Sequence, residues 1–293
     1  MISYLKKIVK NLINKKNSDN WTLATFKLDL NDIFGSKKIN KNIFKKINLL
    51  KHKKTEFTAD PFFFKHKKKK YVFYEKFYRK VNKGVISVAE FKDNNLYNDK
   101  DILVKKYHLS YPNIFKYNKN IYLIPETYQA RNISIYKFID FPHKLKKINT
   151  FLNKQIVADP TFFKYKNSIW FFINKTNKDL ENLNKDLFLY KIDKNFTKVI
   201  PHKQNPIKRN TFGGRSAGSV IKYKNKYIRP AQINKKGIYG YGLVFFQIKK
   251  LNLDIYQEKK IRTILPKYFK NTKGVHHFSY LEGKALVDLN LTK

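Results

Sequence analysis

Hydrophobic residues in this chain fall in short runs rich in Phe, Tyr, Ile and Val, and these runs are separated by turns rich in Lys and Asn. The clearest unit is residues 158–174, in which an apolar arm, a short polar turn and a second aromatic arm follow one another. Aromatic and β-branched residues favour strands, and a short polar turn between two such arms is typical of a hairpin. The pattern therefore predicts an antiparallel β-hairpin.

The same hairpin recurs at intervals of about 50 residues, which is the spacing expected of a structural repeat. The copies are residues 59–75, 110–126, 158–174, 216–232 and, in weaker form, 276–288. A third arm follows each of the first four copies, at residues 85–91, 133–138, 186–192 and 242–248, and a fourth arm such as 146–152 leads to the next copy. A repeat of four short β arms predicts an all-β, five-bladed β-propeller with four-stranded blades.

The two ends of the chain complement each other. The fifth copy has only two arms before the chain ends, whereas residues 21–28 resemble a third arm and residues 45–50 resemble the fourth arm at 146–152. We therefore expect the N-terminal strands to complete the C-terminal blade and close the ring, because closure leaves no unpaired strand edge.

We predict a single propeller domain over residues 19–293, preceded by a basic amphipathic helix over residues 1–18. In the first sixteen residues, apolar side chains recur at helical spacing and lysines lie between them. One interpretation is peripheral contact of residues 1–16 with an anionic membrane surface. The alternatives are a helix packed across the propeller face and a frayed terminus.

The net charge of +42, from 63 Lys and Arg against 21 Asp and Glu, would ordinarily indicate a nucleic-acid partner. However, Lys far outnumbers Arg, occurs with abundant Asn and Ile, and is spread over every turn. Arg, which makes most contacts to base edges, is scarce. We therefore expect a solvated basic surface without specific nucleic-acid binding.

The sequence contains no cysteine, which excludes disulfides, thiolate nucleophiles and Cys-ligated zinc. No metal-binding motif is visible, and we expect no cofactor. Neither a long apolar run nor a signal-peptide h-region is present, so cytoplasmic location is the default expectation, with peripheral attachment to the membrane as the alternative.

Candidate site residues occupy equivalent positions in the repeats. The first inner strands begin with Asp60, Tyr111 and Asp159, and the second strands end with Glu75, Glu126, Asn174, Gln232 and Asp288. The start of one strand and the end of its antiparallel neighbour lie at the same end of a hairpin. We therefore expect these side chains to converge on one mouth of the propeller, together with His108, Arg215, His276 and His277.

Each candidate also has a purely structural interpretation. An Asp before Pro is a common turn residue that accepts local N–H bonds, which applies to Asp60 and Asp159 equally well. Glu75 and Glu126 favour function, because a carboxylate at the end of an aromatic strand is poorly explained by packing. Strict alternation along a strand predicts that only one of His276 and His277 faces the channel.

Several of these phrases resemble a known family. Residues 59–62 with 71–75, 108–112 with 122–126, 159–161, and 215–218 with 227–232 are similar to the domain found at the N-terminus of glucosamine inositolphosphorylceramide transferases. Bacterial relatives of that domain occur beside sugar formyltransferases and in surface-polysaccharide gene sets. The resemblance covers about residues 20–290 and implies a five-bladed propeller like that of the furanosidase-type glycosidases, such as arabinanases and β-xylosidases.

In those glycosidases an Asp of the first blade acts as base, a second Asp tunes the acid, and a Glu from a later blade is the acid. The resemblance implies the first role for Asp60 and the second for Asp159. Glu75 and Glu126, in contrast, end strands of early blades, where the glycosidase pattern does not place its acid.

We therefore predict a carbohydrate-active propeller for glycan or glycolipid assembly, such as surface-polysaccharide biosynthesis. Asp60, Glu126 and Asp159 are the catalytic candidates, and the substrate-binding candidates are Glu75, His108, Tyr111, Arg215, Gln232, His276 and His277. The expected ligand is a sugar, a nucleotide-sugar or a glycolipid, and a partner transferase is a further expectation. The alternative is a non-catalytic sugar-binding or scaffolding module for such a transferase.

Overall fold

The computed structural model describes residues 20–35, 38–177, 180–235 and 238–292. The predicted helix at residues 1–18 lies outside these ranges. Within the described part of the chain, no helix is long and apolar enough to cross a membrane.

The described residues form five antiparallel sheets, each built around four strands. In chain order the elements are β1 (Trp21–Lys27), α1 (Leu30–Phe34), a 3₁₀ helix (Lys41–Phe44), β2 (Asn48–Leu49), β3 (Glu56–His66), β4 (Lys69–Tyr78), β5 (Lys83–Lys92), β6 (Asn95–Leu103), β7 (Ser110–Tyr117), β8 (Asn120–Glu126), β9 (Ile133–Asp140), β10 (Lys144–Phe151), β11 (Ile156–Tyr165), β12 (Ser168–Thr176), β13 (Asp186–Ile192), β14 (Val199–Pro201), β15 (Lys208–Arg209), β16 (Phe212–Ser216), β17 (Ile221–Tyr223), β18 (Lys226–Lys235), β19 (Ile238–Leu251), β20 (Tyr256–Ile264), β21 (Thr272–Leu281) and β22 (Lys284–Leu291).

The predicted five-bladed propeller is confirmed. The first three blades are β3 to β6, β7 to β10, and β11 to β14 with β15 added, and the fourth contains β16 to β20. Hydrophobic clusters lie between neighbouring blades: Phe73, Tyr111 and Leu123 share one cluster, and Ile124 and Phe171 share the next. Burying one such aromatic side chain contributes about 2 to 3 kcal/mol, so contacts between blades hold the ring together.

Closure of the ring by the N-terminal strands is also confirmed. The fifth sheet has the order β2-β1-β22-β21, and β1 pairs with β22 from Trp21 opposite Asn290 to Lys27 opposite Lys284. The outermost strand β2 is shorter than the predicted 45–50. Leu30 and Phe44, from α1 and the 3₁₀ helix before β2, are buried in the core cluster of this blade.

The inner strand of the fourth blade differs from the continuous arm expected at residues 216–223. It is divided into β16 and β17, and Gly218 lies between them with φ 121°. A Cβ at this position would lie 2.1 Å from the carbonyl oxygen of Phe278 in the next blade. Glycine is therefore required here both by the backbone conformation and by the close approach of the neighbouring strand.

Candidate functional site

A β-bulge recurs in the inner strands β3, β7 and β11. The pairing register shifts between Ala59 and Phe62 in the first blade and at the equivalent positions of the next two. The first residue of each bulge has a left-handed backbone, with φ 51° at Asp60, 46° at Tyr111 and 50° at Asp159. Non-glycine residues in this conformation cost of order 1 kcal/mol each, and bulges commonly re-aim a side chain beside a functional site.

Carboxylates at the ends of the second strands hold these bulges across the blade boundaries. Glu126 Oε2 accepts a hydrogen bond from the backbone N–H of Asp159 at 3.2 Å, and Asp288 Oδ2 accepts one from the N–H of Asp60 at 2.9 Å. Asp60 Oδ2 in turn accepts from the N–H of Tyr111 at 3.2 Å. Each carboxylate therefore stabilises the strained backbone of the next blade as well as contributing charge.

Arg215, from β16, joins two of the acidic candidates. Its Nε donates to Asp159 Oδ2 at 2.6 Å, and its Nη2 donates to Glu126 Oε2 at 3.1 Å and to Asp159 Oδ1 at 3.2 Å. Its Nη1 donates to Asn184 at 3.0 Å. Burial by itself would raise the pKa of Asp159. The opposite effect of the Arg215 cation is larger, so the pKa of this carboxyl lies below its usual value. Asp159 is therefore held as an anion.

The fifth blade contributes both histidines. Its inner strand also has a register shift, between Val275 and Phe278, so that two residues oppose one. His276 Nε2 lies 3.7 Å and His277 Nδ1 3.4 Å from Asp60 Oδ1. The bulge interrupts strict alternation along this strand, so both rings approach Asp60. His277 is completely buried against Phe62 and Tyr111, and the expectation that only one of the two histidines faces the channel stays a prediction.

His276 carries positive charge at neutral pH. Burial disfavours the imidazolium, but Asp288 Oδ2, 2.7 Å from His276 Nδ1, raises the pKa of this histidine to about 9. The ring also stacks on Trp21 of β1, with centroids 4.0 Å apart. The strand that closes the ring therefore helps to position a charged group of the site.

Tyr239 lies next to both His276 and Arg215. Its ring centroid lies 5.3 Å from that of His276 and 5.2 Å from the guanidinium carbon of Arg215. We refer to Asp60, Glu126, Asp159, Arg215 and His276 as the acidic mouth. Of these side chains, Arg215, Asp60 and Glu126 keep 12%, 9% and 7% of their surface exposed, whereas Asp159 keeps 2%.

The remaining predicted residues lie deeper or to one side. Gln232, paired with Arg215 in the sheet, donates to the carbonyl of Ser216 at 3.1 Å. Tyr111 is fully buried, and its hydroxyl lies 2.7 Å from the Thr161 hydroxyl and accepts from the N–H of Gly218 at 2.9 Å. Tyr111 therefore crosses the channel below the mouth.

Glu75 and His108 form a pair of their own at the boundary of the first and second blades. Glu75 Oε1 lies 3.4 Å from His108 Nε2, and His108 Nδ1 accepts from the N–H of Gly84 at 2.8 Å. A Cβ at residue 84 would lie 2.6 Å from both side chains. Glycine at this position therefore makes the pair possible.

Among the described residues, Asp60, His276 and Asp288 each bring a potential metal-ligand atom within 4.8 Å of the others. However, the backbone N–H groups of His276 and His277 donate to Asp288 Oδ1, and its Oδ2 accepts from Asp60 N and faces the imidazolium. Both oxygens of Asp288 therefore already have partners, and His276 would have to release its ring proton before it could bind a metal ion.

Sequence reasoning missed three residues that shape the site. Tyr239 and Asn184 lie outside the repeated hairpins, so repeat equivalence carries no signal for them. Trp21 was included in a closing strand, but its stacking on His276 depends on the register between β1 and β22. The tryptophan itself, one of two in the chain, was the only available hint.

Comparisons with known proteins give the family and the fold of this chain. Residues 46–283 match the family model described as glucosamine inositolphosphorylceramide transferase 1, N-terminal. The transferase of that name from Oryza sativa subsp. japonica is 27% identical over 208 residues, which cover 70% of this chain and 28% of the relative. The Arabidopsis thaliana protein is 26% identical over 211 residues, covering 71% and 27%. The match thus spans less than a third of the length of these relatives.

Several solved structures with the same fold are glycoside hydrolases. A family 117 enzyme from Zobellia galactanivorans superposes with a TM-score of 0.57 at 12% identity, covering 94% of this chain and 91% of its own. An exo-β-1,3-galactanase from Phanerochaete chrysosporium gives a TM-score of 0.55 at 10% identity, covering 78% and 59%. At these identities the likeness shows the fold alone. The match over residues 46–283, in contrast, shows that the chain belongs to the family of the N-terminal domain of glucosamine inositolphosphorylceramide transferase 1.

Proposed function

We propose that the protein binds a sugar or sugar-phosphate at the acidic mouth, in the assembly of a glycan or glycolipid. Asp60 and Glu126 are the acid/base candidates for glycosyl transfer or hydrolysis. The observation that carries the proposal is the convergence on one mouth of groups from all five blades: Asp60, Glu126, Asp159, Arg215 and His276. Carboxylates accept hydrogen bonds from sugar hydroxyls, and such a convergence is a common feature of ligand sites.

The charges in the mouth suit a ligand with both hydroxyl groups and an anionic part. Asp60 and Glu126 are largely buried acceptors that keep 9% and 7% of their side-chain surface exposed, whereas the His276 imidazolium is a donor and a cation. A phosphate is a strong acceptor that pairs well with such cations. A sugar-phosphate can therefore be oriented in the mouth, because its hydroxyl groups and its phosphate group bind different side chains.

The compounds named for related proteins are consistent with a saccharide ligand. The plant relatives are named for glucosamine and inositolphosphorylceramide, and the galactanase was solved with β-1,3-galactotriose. A further structure of this fold, an enzyme from Xanthomonas citri, was solved with xylose. All are saccharides or carry one, which supports a saccharide ligand here.

A non-catalytic sugar-binding module that positions a partner transferase is the second candidate. It is favoured by the Arg215 network, because the same guanidinium holds both Asp159 and Glu126. The limited share of the plant relatives that the chain matches fits a module within a larger system.

The test is a saccharide and nucleotide-sugar binding screen on the pure protein, followed by product analysis of every hit. Asp60→Asn and Glu126→Gln are compared with Glu282→Gln, whose carboxylate is exposed at the far end of the first strand of the fifth blade. For catalysis, either amide should lower turnover by about 10²- to 10⁴-fold while binding changes little. For a binding module, the parent binds without turnover and both amides weaken binding.

If no saccharide binds, or if both amide variants bind and turn over like Glu282→Gln, the proposal fails.

Membrane contact through residues 1–16 and a partner transferase are separate proposals. Vesicle co-sedimentation of the full chain and of a chain lacking residues 1–16 tests the first.

A further inference from the structure

A second recess lies at the opposite end of the propeller from the acidic mouth. β11 begins near the mouth, and Lys164 follows Asp159 by five residues along this strand, so that the two ends are separated by about 16 Å. A cavity of about 540 Å³ opens there, beside the turns of the second, third and fourth blades. We call it the lysine cavity, and its lining includes Phe115, Phe163, Tyr227, Lys164, Lys166 and Lys222.

Buried side chains fill the channel between the two ends. The Tyr111 hydroxyl spans from the second blade to Thr161 of the third and Gly218 of the fourth. Phe62 packs edge-on against Tyr111 at 5.0 Å and against His277 at 4.5 Å. The lysine cavity is therefore separate from the acidic mouth and can bind a ligand of its own.

The charge of the lysine cavity is uncompensated. Lys164, Lys166 and Lys222 are exposed, and the lysine ion pairs within the described ranges involve other lysines. The lining also contains no Asp or Glu. Because like charges without partners raise the local potential, three ammonium groups around one recess attract an anion.

The wall of the lysine cavity is aromatic. Phe115 stacks on Phe162 at 5.5 Å, and Tyr227 lies 4.8 Å from Tyr165. Phe115 and Tyr227 are only partly buried, so that they present apolar surface to the recess. Ser219 adds a hydroxyl group to the lining. A hydrophobic wall with a few polar groups at its rim is typical of small-molecule sites.

We propose that the lysine cavity is a second binding site, for a small saccharide that carries a phosphate or a carboxylate. The ammonium groups bind the anion, and the aromatic side chains pack against the apolar C–H face of the sugar ring. A concave volume of about 540 Å³ lies within the range of small-ligand sites, roughly 300 to 1,000 Å³. A compact ligand fits such a recess better than a flat bilayer or a nucleic-acid duplex does. This site goes beyond the proposed function, which uses the other end of the molecule.

The test is calorimetric titration of the full chain with four probes: glucose 6-phosphate, glucuronate, glucose and inorganic phosphate. We compare the parent with Lys164→Gln/Lys166→Gln/Lys222→Gln and with the control Lys68→Gln/Lys144→Gln/Lys250→Gln. The control removes the same charge from exposed positions outside the cavity, in the turn after β3, at the start of β10 and near the end of β19. The cavity variant should lose at least about tenfold in affinity for the two charged sugars, and the control less than about threefold. Tyr227→Ala should also weaken both charged sugars and leave phosphate unchanged.

Equal losses in the two triple variants would show an effect of net charge and would overturn the proposal. So would equal affinity for glucose and its charged forms, or phosphate binding as tight as glucose 6-phosphate. Binding of phosphatidylserine vesicles or of a DNA duplex that depends on the same three lysines, without binding of either charged sugar, would assign the surface to another partner. Asp60→Asn should leave binding of the charged sugars at the lysine cavity unchanged, because the two sites are distinct. The result of this test therefore does not depend on whether the acidic mouth binds a saccharide.

Discussion

The two ends of the propeller carry opposite charges and hold them in different ways. At the acidic mouth each charged group has a partner: Arg215 bonds Asp159 and Glu126, and His276 pairs with Asp288. At the lysine cavity, Lys164, Lys166 and Lys222 extend from turns and strand ends into solvent. The charged groups of the acidic mouth therefore stabilise the fold through their partners, whereas the ammonium groups of the lysine cavity are exposed to a ligand.

The difference follows from the strand positions involved. The acidic groups lie at bulges and strand ends that face the next blade, so their oxygens accept N–H bonds across blade boundaries. The lysines lie near hairpin turns, where a side chain touches little else and the sequence is weakly constrained. Removing a partner inside the protein should therefore cost far more than removing an exposed lysine.

The largest effect is expected for Arg215→Met. It leaves Asp159 and Glu126 buried without their cation, and breaking a buried ion pair in this way costs about 3 to 5 kcal/mol of unfolding free energy. Urea unfolding followed by tryptophan fluorescence measures the loss. Arg215→Lys keeps the charge but not the two-pronged geometry, so it should fall between the parent and the Met variant.

Arg209→Met is the matched control, because Arg209 is exposed on the short strand β15. Its loss should stay below about 1 kcal/mol, as for surface charges in general. If Arg209→Met and Arg215→Met lose the same amount, the buried network does not stabilise the fold as argued.

A smaller effect is expected from the titration of His276. Its pKa is about 9 in the folded protein and near 6.5 when unfolded, so its contribution is fully present below about pH 6.5 and is lost as the pH rises through about 9. A shift of this size corresponds to about 3 kcal/mol. The difference in unfolding free energy between the parent and His276→Gln should therefore decrease by about that amount between pH 6.5 and pH 10.

His143→Gln supplies the comparison, because His143 is exposed in the turn between β9 and β10. Its stability should follow that of the parent at every pH. A constant difference between the parent and His276→Gln from pH 6.5 to pH 10 would contradict a charged His276.

Much of the fold could be predicted from sequence because the blade is a repeated unit. The hairpins at residues 59–75, 110–126 and 158–174 lie within the observed strand pairs, and the missing strands of the last blade indicated the N-terminal closure. The divided inner strand of the fourth blade was not predicted. Its cause is contact with Phe278 across a blade boundary, which no local pattern encodes.

The candidate site was predictable only in part. Repeat equivalence selected the carboxylates that end the second strands, because that position faces the next blade in every repeat. The mutual arrangement of the side chains depends on register instead. The stacking of Trp21 follows from a strand pairing that joins residues far apart in the chain, and the bulge at His276 and His277 is a register shift within a predicted hairpin that no local pattern indicated.

The smallest effect is expected at the lysine cavity. Replacing Lys164, Lys166 and Lys222 together by Gln removes like charges that have no carboxylate partner in the described part of the chain. At low salt the unfolding free energy should rise slightly, by less than about 1 kcal/mol, because repulsion is relieved. At about 0.3 M salt the difference should disappear, since screening acts over less than a nanometre. Urea unfolding of the triple variant and the parent at both salt concentrations measures this. A loss above about 2 kcal/mol would show that the lysines stabilise the fold, and the contrast between the two ends would fail.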